Sequence, residues 1–166
     1  MTDHLLPTDI ATLAAQVVEQ NIAANRRITL AESCTGGLVA AAITEIPGSS
    51  AIFDRGFVTY SNEAKMQSLH VASDIIETFG AVSIACVWAM AHGALKNSDA
   101  DVAVAISGVA GPGGGTDLKP VGTVVFAVVV RGDDAEPKGE LKQFGDIGRA
   151  EIRRQATLCA LELLLP

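Results

Sequence analysis

The sequence predicts an α/β fold, a three-layer α/β/α sandwich with a mostly parallel mixed sheet. Short apolar, partly β-branched runs at 27–32, 53–60, 102–106 and 122–130 alternate with segments whose apolar residues recur at helical spacing. That alternation is the pattern of a sheet covered by helices on both faces. The step from 122–130 to 140–144 passes through a charged turn with no helix between them. At least one pair of strands is therefore expected to be antiparallel.

Each element has its own local reason. Ile10, Leu13, Ala14, Val17, Val18 and Ile22 share one face of a first helix, with Thr8 placed to cap it. Residues 27–32 (RITLAE) form a short strand, and the Ala-rich stretch 35–44 a helix that Pro47-Gly48 ends. Residues 53–60 alternate as a strand does, Ser61 can cap a short helix carrying Lys65, and Ser83 a longer one to about residue 96. Residues 102–106 read as a buried strand, 108–120 as a glycine-rich loop, and 122–130 as the clearest strand. The charged stretch 131–138 (RGDDAEPK) is expected to be a solvated turn before a strand at 140–144. A closing helix at about 149–165 puts Ile152, Ala156, Cys159, Ala160 and Leu163 on one face.

Length and composition bound the rest. A chain of 166 residues is expected to be a single domain, residues 1–166, that buries roughly 70% of its unfolded surface and needs no staple to fold. Apolar residues make up 49% and charged residues 19%, which argues against disorder. The longest apolar run, 84–91, is far short of the roughly 20 residues of a membrane span, and the first residues lack the basic and apolar regions of an export signal. A cytoplasmic protein without a membrane partner is expected. The net charge of −7 and the lack of a basic stripe speak against nucleic acid as a partner. Three scattered cysteines and three scattered histidines give no ligand spacing, so neither a metal site nor a cofactor is expected. A homo-oligomer is compatible with this composition.

Three places could carry chemistry. In AESCTGG (31–37) a strand runs into a helix, and Ser33 would stand exposed at the turn as a nucleophile does in strand–turn–helix hydrolases. Thr35, Gly36 and Gly37 would meet the substrate there, the turn's N–H groups suiting an oxyanion or a phosphate; equally, Ser33 or Thr35 could simply cap the helix. In YSNEAK (60–65), Lys65 could serve as a base if burial lowers its pKa, or be a surface lysine. The loop SGVAGPGGGT (107–116) is neither a P-loop nor a dinucleotide fingerprint. It could fold over an anion or be a surface connection. Cys34 as a thiol nucleophile finds no histidine near it in sequence.

Together, AESCTGG, YSNEAK, the SGVAGPGGGT loop running into KPVGTV, and IRRQA in the closing helix resemble the CinA C-terminal domain family, in the expected order from about residue 10 to 164. Larger members carry an additional N-terminal domain, so the chain resembles the stand-alone form. Members include amidases that convert nicotinamide mononucleotide to nicotinate mononucleotide and ammonia. The resemblance implies a small-molecule nucleotide substrate, Ser33 as nucleophile, Lys65 as its basic partner and Tyr60 as a supporting hydrogen-bond group. Ser107 stands where the family commonly has threonine. Arg149 corresponds to the family's arginine near the last helix, although GDIGR spaces it differently from the commoner GDR. The helix after Ser83 reads IACVWAMA where relatives are more acidic. Phosphate recognition is expected from Ser107, Gly108, Gly111, Gly113, Gly114 and Arg149. The alternatives are a nucleotide-binding module of the same fold without turnover, and a phosphate-handling enzyme, which the lack of a P-loop disfavours.

Overall fold

A computed structural model describes residues 3–134 and 138–166. Along the chain run α1 (Thr8–Ala23), β1 (Ile28–Glu32), α2 (Leu38–Thr44), β2 (Phe53–Val58), α3 (Asn62–Leu69), α4 (Ser73–Phe79) and α5 (Ile84–Lys96). They are followed by β3 (Val102–Gly108), β4 (Thr123–Val130), β5 (Lys138–Gln143) and α6 (Arg149–Leu163). One sheet holds all five strands in the order β2-β1-β3-β4-β5. β1 pairs in parallel with β2 and β3, while β3–β4 and β4–β5 are antiparallel. Four strands thus point one way and β4 opposes them. The expected sheet is present, with two antiparallel pairs.

The two faces of the sheet are built differently. Ile28, Leu30, Val104, Ile106 and Phe126 form a bulky face packed by α1, α2 and α6. Ala31, Ala103, Ala105 and Ala127 form a face of small side chains, against which α5 and the end of α3 lie with Leu69, Val87, Met90 and Ala94. Methyl-sized side chains let a helix approach the sheet closely. No helix among the described residues is long and apolar enough to cross a membrane.

Several elements differ from their sequence expectation. Thr8 is the first residue of α1 and its side chain caps nothing, because Pro7 occupies the cap position. Ile22 is 46% exposed; Asn21 is buried in its place, donating through Nδ2 to Val17 O (2.8 Å) and Leu164 O (2.9 Å), which ties α1 to the end of α6. The second helix begins at Leu38 rather than residue 35, because Gly36 (φ +57°) and Gly37 (φ +99°) take left-handed conformations that cannot continue a right-handed helix. Helix α4 has no counterpart in the sequence reading, since none of its residues is buried and no apolar stripe announces it. Of the expected turn at 131–138, residues 135–137 lie outside the described residues.

The seat of α3 depends on one glycine. A Cβ at Gly93 of α5 would fall 2.0 Å from the carbonyl oxygen of Leu69, so only glycine lets α5 and the end of α3 touch. We predict that Gly93→Ala destabilises the fold by about 1–3 kcal/mol or more through overpacking. Thermal unfolding checks this, at about 2–4 °C for each kcal/mol. An unchanged Tm would show that α3 is not seated by this contact.

Candidate active site

The parallel strands β1, β2 and β3 end together, where open α/β sheets gather ligands. Ser33 follows the last residue of β1, and its N–H donates to Ile106 O (2.9 Å). Helix α3 begins with Ser61, whose Oγ accepts from Ala64 N, and turns Lys65 and Leu69 inward as its two buried residues. Lys65 is 2% exposed. Its Nζ donates to Thr59 O (2.8 Å) and stands 3.0 Å from Ser33 Oγ. It takes part in none of the ion pairs among the described residues. Burial holds the Lys65 pKa below the usual lysine value of 10.5, offset in part by the thiols of Cys86 and Cys34. An amine so placed can lose its proton and accept the one on Ser33.

Two charged side chains hold the turn carrying Ser33. The Glu32 carboxylate, 1% exposed, accepts from Thr35 Oγ1 (2.6 Å) and from the N–H groups of Gly37 (3.3 Å), Val39 (3.1 Å) and Ala40 (3.1 Å). Arg153 of α6 donates through Nε to Cys34 O (3.1 Å) and through Nη2 to Thr35 O (3.3 Å). The Gly36 N–H donates to Ser33 O (3.0 Å). Thr35, Gly36 and Gly37, expected to meet the substrate, are turned to internal bonds, since a buried carboxylate must find donors. No oxygen among the described residues accepts from the N–H groups of Cys34 and Thr35, which leaves the donor next to the nucleophile available to a reacting oxygen. The sequence reading gave Glu32 and Arg153 no part. Their signal is spacing: Arg153 lies one helical turn beyond Arg149, on the same face of α6.

A cleft of about 540 Å³ opens onto this turn, lined by Ser33, Cys34, Tyr60, Gly108, Gly111 and Arg149 among others. Gly113 and Gly114 line it too, so four of the glycines expected around a phosphate do face Ser33. Arg149 spans the cleft, donating to Gly111 O (2.6 Å) and to the Tyr60 hydroxyl (2.7 Å). Ser107 does not line the cleft. Continuing the β1–β3 register past Glu32↔Ile106 sets it beside Ser33, on the face shared with Ala103 and Ala105. Burial pushes the Cys34 thiol up to about 12, so it stays protonated and does not compete with Ser33 as nucleophile.

Residues 10–166 match the CinA C-terminal domain. The chain belongs to the CinA C-terminal domain family. Nicotinamide-nucleotide amidohydrolase PncC of Escherichia coli is 49% identical over 164 residues, covering 99% of this chain and 95% of that protein. The protein of the same name from Pseudomonas putida is 49% identical over 156 residues, 94% of this chain and 95% of its own length. The crystal structure of competence/damage inducible protein CihA from Agrobacterium tumefaciens superposes with a TM-score of 0.92 at 48% identity, covering 97% of this chain and 96% of that one. The CinA family thus supplies the fold, and the strand ends supply the cleft.

The depressed Lys65 pKa has a measurable sign. Between the lowered folded value and the unfolded value near 10.5, the unfolded chain binds a proton that the folded one does not, so stability rises with pH. Lys65→Met lacks this proton. We predict that wild type gains stability relative to Lys65→Met as pH is raised through that window. Denaturant midpoints for both proteins across the pH range check this; parallel curves would mean that Lys65 titrates alike folded and unfolded.

Proposed function

We propose that this protein is a nicotinamide-nucleotide amidohydrolase working through a Ser33–Lys65 dyad. The observation that carries the proposal is the buried Lys65 amine 3.0 Å from the Ser33 hydroxyl, and the names of the full-length relatives supply the substrate class. As Ser33 Oγ bonds to the carboxamide carbon, its proton passes to Lys65 Nζ and the carbonyl electrons move to oxygen. The Cys34 N–H, next to the nucleophile, steadies that oxygen, a contribution of about 3 kcal/mol for one good donor. Collapse breaks the C–N bond, and Lys65 returns its proton to the leaving nitrogen, which departs as ammonia. Water then gives a proton to Lys65 and attacks the acyl carbon. The ester to Ser33 breaks, Lys65 reprotonates Ser33, and nicotinate mononucleotide leaves.

We assign the phosphate to the glycine loop and Arg149, which line the same cleft as Ser33. An anion approaching a protein of net charge −7 is repelled at long range, so local donors must hold it. Arg149 has no carboxylate partner among the described residues and could exchange its bonds to Gly111 and Tyr60 for phosphate oxygens. Tyr60, 61% exposed, would then support Arg149. Ser107, buried beside Ser33 in register and outside the cleft lining, is not assigned a contact with the phosphate.

The purified protein is expected to release ammonia from nicotinamide mononucleotide, with or without chelator, and Lys65→Arg is expected to be inactive because guanidinium stays protonated. Binding of the mononucleotide by calorimetry without ammonia release would instead favour a binding module. Nicotinamide riboside, lacking the phosphate, is predicted to have a kcat/KM lower by roughly a hundredfold, the loss of about two charge-assisted hydrogen bonds. Equal kcat/KM for the two substrates would remove the glycine loop and Arg149 from the site.

A further inference from the structure

Beside Lys65 lies a hydroxyl that the mechanism above does not use. Thr59 is 1% exposed, and its Oγ1 is buried with no hydrogen-bond partner among the described residues. Threonine hydroxyls are easily satisfied by a nearby main-chain carbonyl, so a buried one left unpaired calls for a reason. Its position supplies one. The Thr59 carbonyl already accepts from Lys65 Nζ (2.8 Å). The Thr59 N–H donates to Glu32 O (2.9 Å), which continues the β1–β2 register by one step beyond Glu32↔Val58 and sets Thr59 beside Ser33. Strand alternation puts its side chain on the face of Phe57, which packs on the α5 side of the sheet, the side where Lys65 meets Ser33.

We propose that Thr59 is a positioning residue whose hydroxyl accepts the N–H of Lys65 that neither Thr59 O nor Ser33 holds, a bond that strengthens as the amine takes the proton of Ser33. The inference rests on the Ser33–Lys65 assignment. A neutral amine has two hydrogens and one lone pair: the lone pair takes the Ser33 hydroxyl proton, one N–H is held by Thr59 O, and the second meets no other oxygen among the described residues. When the Ser33 O–H bond breaks and its proton joins the Nζ lone pair, the ammonium has three N–H groups. At the same moment Ser33 Oγ bonds to carbon and becomes a poorer acceptor. Thr59 Oγ1 is the unpaired acceptor on the residue that already holds Nζ. A hydrogen bond from an ammonium is stronger than one from a neutral amine, so this contact stabilises the transition state over the resting enzyme.

Few other charges reach this point. Cys34 and Cys86 face Lys65 from the nucleophile turn and from α5. Lys119 acts on Cys86, and Glu32 and Arg153 act on Cys34. On α3 itself, Glu63 is occupied by Gln67 at the exposed side. None of these supplies an oxygen to Nζ among the described residues.

The test compares wild type with Thr59→Val, which keeps the shape without the hydroxyl, and Thr59→Ser, which keeps the hydroxyl. One hydrogen bond to the charged amine should appear twice, at about 1.4 kcal/mol per decade or pKa unit. In Thr59→Val, kcat on nicotinamide mononucleotide is expected to fall about tenfold. The Lys65 titration, followed by NMR of the labelled side chain without substrate, is expected to move about one unit lower. Tm is expected to hold or rise, because the lost hydroxyl was unpaired. Thr59→Ser should stay close to wild type in both readouts. The inference is overturned if Thr59→Val leaves kcat and the Lys65 titration unchanged, or if kcat falls only in step with a lowered Tm. Should Thr59→Val fold poorly, the titration of Lys65 in Thr59→Ala decides by the same shift. If wild type itself releases no ammonia, the amidase assignment falls, while the titration still tests Thr59.

Discussion

A primary amine sealed inside an α/β layer, with no carboxylate paired to it among the described residues, is the constraint on which the site depends. In water Lys65 would be charged. At 2% exposure, with one carbonyl and one hydroxyl as its hydrogen-bond partners, the charged form is disfavoured. A carboxylate partner would have made the lysine a permanent cation and useless as a base. The fold therefore withholds a counter-charge where most proteins would supply one, and gains a base near Ser33.

The rest of the site keeps that pair in register. Charges are present, but they are directed at the main chain. Glu32 takes up N–H groups at the start of α2, and Arg153 takes up carbonyls of the preceding turn. A carboxylate and a guanidinium thus fix one short loop, each matched to the backbone dipoles it meets. The consequence is selective: the donors beyond Gly36 are occupied, while the Cys34 N–H beside the nucleophile meets no oxygen among the described residues. The start of α2 thus also acts as a support for the nucleophile turn.

Helix α6 links this support to substrate recognition. Arg149 and Arg153 stand one turn apart, the first spanning the cleft from Gly111 to Tyr60 and the second holding the Ser33 turn. In a protein of net charge −7 these two cations stand at the ends of β1, β2 and β3, and short-range hydrogen bonds rather than long-range attraction must select an anion. On the other face of the sheet-helix packing, Gly93 and the alanines of β1, β3 and β4 let α5 and α3 sit close enough to carry Lys65 to the strand ends.

The amino-acid order alone determined the strands, because alternation and β-branching report local burial, and it marked 31–37, 60–65 and 107–116 as the places for chemistry. Ser61 as the cap of α3 was legible for the same reason: a cap acts on its own neighbours within three residues. Helix α4 was not, since a helix with no buried residue leaves no periodic trace. Nor could sequence choose between a surface Lys65 and a buried one. The bond between Lys65 and Ser33 joins residues 32 apart, and the grip of Arg153 on Cys34 joins residues 119 apart. Only the tertiary structure decided these, because a lysine's pKa and a turn's free donors depend on which distant groups exclude water from them, and solvent exclusion is a property of the packed layers rather than of any segment.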